Sequence, residues 1–158
     1  RKPGCFGCVG AVIQSYMRRS EADVADLLND GIRIRLCKGA YKEPPEIAYQ
    51  AKAEVDANYL RLMKTLLKSG GYHGLATHDE NIIREVQAFV IREKIPRDAF
   101  EFQMLYGIRR NLQQALTREG WRLRVYVPFG TEWYPYLMRR LAERPANLGF
   151  VLKNMLRG

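Results

Sequence analysis

Residues 32–41 read IRIRLCKGAY. Taken alternately, Ile32, Ile34 and Leu36 fall on one face, and Arg33, Arg35 and Cys37 on the other. That is the period of a β-strand. The same two-sided character recurs along the chain. In FEFQML (100–105), Phe100, Phe102 and Met104 oppose Glu101, Gln103 and Leu105. In LRVYV (123–127), Leu123, Val125 and Val127 oppose Arg124 and Tyr126. Near the start, Ala11 and Ile13 oppose Val12 and Gln14. One face is apolar and suits packed helices; the other is polar and repeatedly charged.

Between these strands lie helical stretches. The patterning predicts strands over Val9–Tyr16, Ile32–Cys37, His73–Thr77, Phe100–Leu105 and Leu123–Val127. It predicts helices over Ser20–Asp30, Glu46–Ser69, Glu80–Lys94, Arg109–Glu119 and Tyr134–Arg144, with another over Leu148–Leu156. Ser20 is expected to cap the first helix, with Asp23 at capping-box spacing, and Asp79 to cap the third. Five β-α units with short connections imply a parallel sheet with crossover helices. A doubly wound sheet is covered on both faces and its strands are apolar on both. Here one face is polar, so the expected fold is an α/β (β/α)8 TIM barrel with helices outside and a polar lumen. A full barrel needs about 250 residues and eight units; this pattern supplies five. Gln14, Arg33, Arg35, Glu101, Gln103, Arg124 and Tyr126 are expected to face the lumen, with Arg33–Glu101 as a candidate ion pair. Active sites of such barrels lie at the C-terminal strand ends, where Gln14, Arg35, Lys38, Thr77, Leu105 and Tyr126 fall.

The chain has 158 residues, 47% of them hydrophobic, and a net charge of +9. That charge implies anionic partners. The basic residues are spread over every predicted helix and interleaved with acids, which argues against a nucleic-acid arm. No stretch reaches the ~18 apolar residues of a membrane span. Three cysteines, Cys5, Cys8 and Cys37, without a secretory signal point to a reducing compartment. Cys5 and Cys8 form a C-x-x-C without the second pair that a structural zinc requires, so no metal is expected.

A second chemically specific stretch is Tyr136-x-x-Arg139-Arg140-x-x-Glu143. At ~100° per residue, these four side chains share an arc of about 100° on a helix. Glu143 can hold either arginine, and two guanidiniums so held form a clamp for a carboxylate or phosphate. A solvated basic helix with a surface salt bridge is the alternative reading.

Taken together, residues 12–24, 35–44 (RLCKGAYKEP), 76–80 (ATHDE), 100–109 (FEFQMLYGIR) and 124–147 resemble the proline dehydrogenase family of flavin-dependent (β/α)8 barrels. The resemblance divides the chain into an irregular segment, 1–8, and the C-terminal portion of the barrel, 9–158. It implies FAD-dependent oxidation of L-proline to 1-pyrroline-5-carboxylate, with hydride passing to flavin N5 and electrons then to a quinone. It implies cofactor contacts from Gln14, Arg35, Lys38, Gly39, Ala40, Thr77 and His78, with Arg35 catalytic beside N5. It implies substrate contacts from Tyr41, Leu105, Tyr126, Tyr136, Arg139 and Arg140, with Glu143 holding the arginine pair. A lone histidine after a strand is usually structural; only its Ala76-Thr77 context assigns His78 to the cofactor. The implied location is cytoplasmic, with peripheral contact at the inner membrane, and pyrroline-5-carboxylate dehydrogenase is an implied partner.

There are two departures. Asp79 stands where the family usually has Asn, placing a negative charge near the cofactor. The five units match the last five of eight, without the first-strand lysine and third-strand aspartate of the family's site. The chain is therefore expected to be a fragment, an incomplete gene product or one segment of a longer enzyme, poorly stable and weakly active alone. A remnant that binds only flavin or an anion is the alternative.

Overall fold

The computed structural model describes residues 9–39, 41, 43–127, 129 and 130. Five strands form one all-parallel sheet in sequential order: β1 (Gly10–Gln14), β2 (Arg33–Cys37), β3 (His73–Ala76), β4 (Phe100–Leu105) and β5 (Leu123–Tyr126). Each connection carries a helix: α1 (Ser20–Asn29), α2 (Lys52–Lys68), α3 (Glu80–Arg92) and α4 (Arg110–Arg118). A doubly wound sheet reverses its strand order at a switch point. This order runs one way only, as in an arc of a barrel, and the architecture is the TIM-barrel-like α/β fold.

The register confirms the two faces. Val12 pairs with Arg35, Arg35 with Gly74, Gly74 with Glu101, and Gln103 with Arg124. Cross-strand partners in a parallel sheet point to the same side, so these side chains share the inner face. On the outer face Ile34, Leu36, Leu75, Phe100, Phe102 and Met104 are buried. They form one core with Tyr59, Leu62, Met63 and Leu66 of α2, and with Ile83, Val86 and Phe89 of α3. Trp121 closes the core's end against Phe100 and Phe102, ring centroids 6.0 Å apart.

At three helix starts the structure differs from the sequence reading. Helix α2 begins at Lys52, not Glu46. The preceding stretch is pinned to the exit of β1: Arg18 N–H donates to Ile47 O (2.9 Å) and Tyr49 N–H to Tyr16 O (2.8 Å). Those bonds set Ala48 in an antiparallel bridge with Met17, just after the turn at 45–47, and postpone the helix. Ser20 is the first residue of α1 rather than its cap. It is buried, and its hydroxyl donates to Met17 O (2.7 Å) and accepts from Asn58 Nδ2 (3.0 Å). Asp23 pairs instead with Arg19. Finally, α4 starts at Arg110, because Arg109 adopts a left-handed backbone (φ 52°). The helices expected over 134–144 and 148–156, and segment 1–8 with Cys5 and Cys8, lie outside the described residues.

Candidate active site

The inner face carries a polar chain across three strands. Arg35 Nε donates to Gln103 Oε1 (2.7 Å), and Gln103 Nε2 donates to Glu101 Oε1 (2.7 Å). Glu101 Oε2 accepts from Arg124 Nη2 and from the Tyr72 hydroxyl, both at 2.9 Å. Only one orientation of the Gln103 amide serves both neighbours, since its oxygen must face the guanidinium and its nitrogen the carboxylate. Gly74 makes room for it: a Cβ there would lie 2.4 Å from Gln103 Nε2. Burial works against the charge on Glu101, but the bonds from Arg124, Gln103 and Tyr72 outweigh it and hold the carboxyl below its usual range. The expected Arg33–Glu101 pair is not formed. Arg33 instead lies over the Tyr72 ring, 5.6 Å from its centroid. Arg124 takes the carboxylate because it sits on the adjacent strand, in register with Gln103. An open groove of about 410 Å³ runs along this face, lined by Val12, Arg33, Arg35, Gly74, Gln103 and Arg124, among others.

The C-terminal strand ends hold the second cluster. Lys38 follows β2, and its Nζ lies 2.5 Å from Asp56 Oδ1 and 2.7 Å from Asp79 Oδ2. Asp79 also caps α3, accepting from Asn81 N–H through its other oxygen (3.1 Å). Partial burial opposes its charge, but Lys38, Lys52 and Asn81 N–H together draw its pKa down to about 2. Thr77 is buried, and its hydroxyl accepts from Asp79 N–H (3.0 Å), which shapes the turn into α3.

His78 Nε2 accepts the Leu105 N–H at 2.8 Å. The ring hydrogen therefore sits on Nδ1. Burial, with the nearby charges of Arg109 and Arg35, lowers its pKa to about 4 and keeps it neutral. Arg109 completes the corner, donating to His78 O (3.3 Å) and pairing with Glu80. Gly39 has φ +113°, and a Cβ there would meet Tyr16 Cδ1 at 2.3 Å.

Of the expected site residues, Arg35, Lys38, Gly39, Thr77, His78 and Leu105 gather at the C-terminal ends of β2, β3 and β4. Gln14 ends β1, half-buried, in register with Cys37. Tyr41 and Tyr126 are exposed, at 48% and 52%. Ala40, Tyr136, Arg139, Arg140 and Glu143 lie outside the described residues. Tyr72, Asp56, Lys52 and Arg109 were not anticipated as site residues. Tyr72 and Asp56 reach their partners by tertiary contact, for which local sequence carries no signal. Among the described residues, no cluster of three or more His, Cys, Asp or Glu could hold a metal, and no helix is long and apolar enough to cross a membrane.

A family model described as proline dehydrogenase matches residues 2–153. The chain is 54% identical over 157 residues to the proline dehydrogenase of Deinococcus radiodurans, covering 98% of this chain and 51% of that protein. It is 47% identical over 152 residues to proline dehydrogenase 1 of Bacillus subtilis strain 168, covering 96% and 50%. The crystal structure of proline utilization A (PutA) from Bdellovibrio bacteriovorus, inactivated by N-propargylglycine, superposes with a TM-score of 0.77. It is 34% identical, with 84% of this chain and 16% of that chain covered. The chain spans about half the length of the curated relatives it matches. With the family model matching nearly the whole chain and relatives at 47–54% identity, the chain belongs to the proline dehydrogenase family.

Proposed function

We propose that this chain carries the flavin-facing half of an FAD-dependent enzyme that oxidises L-proline to 1-pyrroline-5-carboxylate and delivers the electrons to a quinone. The carrying observation is the convergence of Arg35 on β2 with Lys38, Gly39, Thr77 and His78 just past the C-terminal ends of the adjacent strands β2 and β3, where barrel enzymes place their chemistry. The donor set suits a flavin dinucleotide. Arg35 is a cation anchored from behind by Gln103, His78 is a neutral ring with Nδ1–H to give, and Lys38 supplies an ammonium. When bound, the flavin supplies the two-electron acceptor.

The chain's own residues contribute charge and orientation. Arg35 places a permanent positive charge at the lumen end of β2, where negative charge would develop on reduction. Its bond to Gln103, itself tied to Glu101, limits the positions the guanidinium can take. His78 is locked in one tautomer by Leu105 N–H, so it donates rather than accepts at Nδ1. Arg139 and Arg140 are assigned to the substrate carboxylate and Glu143 to the arginines on the family resemblance, with which the helical spacing of their sequence is compatible. Tyr41, Leu105, Tyr126 and Tyr136 are assigned to the substrate pocket.

The test is a visible spectrum of the purified protein incubated with FAD, before and after anaerobic addition of L-proline. The expected result is a bound flavin spectrum that bleaches with proline. A protein that takes up no FAD would overturn the reading. Retained flavin that proline does not bleach would reduce it to cofactor binding.

A further inference from the structure

Four charges meet at the end of β2. Besides its two ion-pair contacts with Lys38, the carboxylate pair Asp56 and Asp79 contacts Lys52, whose Nζ touches Asp56 and lies 3.4 Å from Asp79. The side chains of Lys38, Asp56 and Asp79 are only 21–23% exposed, while Lys52 is 75% exposed. The cluster is neutral overall, with two ammonium groups and two carboxylates. An ammonium has three donors; one of those on Lys38 is given to Asp79 Oδ2, and Asp56 Oδ1 lies within ion-pair distance without a hydrogen bond of its own.

A phosphate arriving at Lys38 therefore meets an occupied cation flanked by two negative charges. We propose that Asp56 and Asp79 act as internal stand-ins for a ligand's phosphate, occupying Lys38 and setting the affinity of this site for a phosphate-bearing molecule. The ligand's identity as FAD rests on the function proposed above; the competition for Lys38 does not. A phosphate at Lys38 would compete with both carboxylates for its charge. Asp79 is the affinity-determining residue of the two, because Asp56 keeps Lys52 as an alternative partner on its own helix turn. Lys52 is exposed enough to swing away with a displaced carboxylate or to join the incoming anion.

The chemistry of Asp79 supplies a clean test. One oxygen caps α3 through Asn81 N–H and the other pairs with Lys38. Asn caps helices as well as Asp does, so Asp79→Asn removes the charge and keeps the cap. We would measure FAD affinity by equilibrium titration, and protection by inorganic pyrophosphate in thermal unfolding. Both would be done for wild type, Asp79→Asn, Asp56→Asn, Lys38→Met and the double variant Lys38→Met/Asp79→Asn. Partly exposed pairs of this kind are worth up to ~1 kcal/mol, so Asp79→Asn should bind up to about fivefold tighter, with the gain shrinking at high salt. Asp56→Asn should shift affinity in the same direction and serves if Asp79→Asn does not fold. In the Lys38→Met background the gain should vanish, which a merely structural role for Asp79 would not produce. Unchanged or weaker binding by the folded Asn variants, or an equal gain without Lys38, would overturn the proposal. If FAD fails to bind anywhere but pyrophosphate protects Asp79→Asn more than wild type, the flavin reading falls and this one stands. If neither ligand acts on any variant, both fall.

Discussion

At the scale of single residues, both histidines serve as neutral acceptors of a neighbouring strand's backbone. His73 Nδ1 accepts Ile34 N–H (3.1 Å) and His78 Nε2 accepts Leu105 N–H (2.8 Å). A protonated ring could not accept. Burial lowers both pKa values, with Arg33 adding for His73 and Arg109 and Arg35 for His78. Above pH 6.5 the folded and unfolded chains both hold His78 neutral. Between 6.5 and about 4 only the unfolded chain takes up the proton. Stability is therefore fully present above that window, falls as the pH drops through it, and levels off for this group below about 4. The loss from His78 is about 3 kcal/mol. The depressed carboxyls, Asp79 and Glu101, add losses at the lower end of the window and beneath it. Urea unfolding across this range should show the midpoint falling with acid, and His78→Gln, which can still accept Leu105 N–H, should flatten the slope. A wild-type midpoint independent of pH would contradict the assignment.

At the scale of elements, Asn58 is what ties α2 to the sheet's polar end. It is 4% exposed on an otherwise apolar helix face. Its amide nitrogen donates to Ser15 O (2.7 Å) and Ser20 Oγ (3.0 Å), so one side chain joins α2, the exit of β1 and the start of α1. Asn58→Ala would leave the Ser15 carbonyl buried without this donor. It should cost about 1–3 kcal/mol in chemical denaturation, whereas a loss below ~0.5 kcal/mol would mean that water replaces the amide. Five strands, four helices and their two-sided faces were legible in the sequence because period-two and period-3.6 patterns are local. The cap role of Asp79 was legible for the same reason. The late start of α2 was not, because it depends on residues 47–49 bonding to residues 16–18. Nor was the pairing of Lys38 with Asp56, which lie on different elements. The lumen residues could be named but their partners could not: Glu101 takes Arg124 rather than Arg33 through strand order and register.

At the scale of the whole molecule, the sheet's two faces differ in kind. The outer face is dry, with Leu36, Leu75 and Phe102 fully buried beneath the helices. The inner face is a groove in which the Arg124 side chain is 64% exposed, although its partner Glu101 is nearly buried. The lumen of a closed (β/α)8 barrel is a packed core rather than a pore. The cost of breaking the Glu101–Arg124 pair therefore reports how open the groove is in solution. With one partner in water, Glu101→Gln should cost no more than ~1 kcal/mol, because Gln can still accept from Tyr72 and the freed guanidinium is hydrated. In a lumen sealed from water the same change would strand a buried cation and cost about 3–5 kcal/mol. Chemical denaturation of wild type and Glu101→Gln distinguishes the two. The open groove predicts the small value, insensitive to protein concentration. A large cost that grows with concentration would show a second copy covering the inner face. A large cost independent of concentration would place the missing cover within the chain itself. Arg35 belongs to the same bonded chain through Gln103, so the result also reports how strongly water screens its charge: the tighter the lumen, the less that charge is screened.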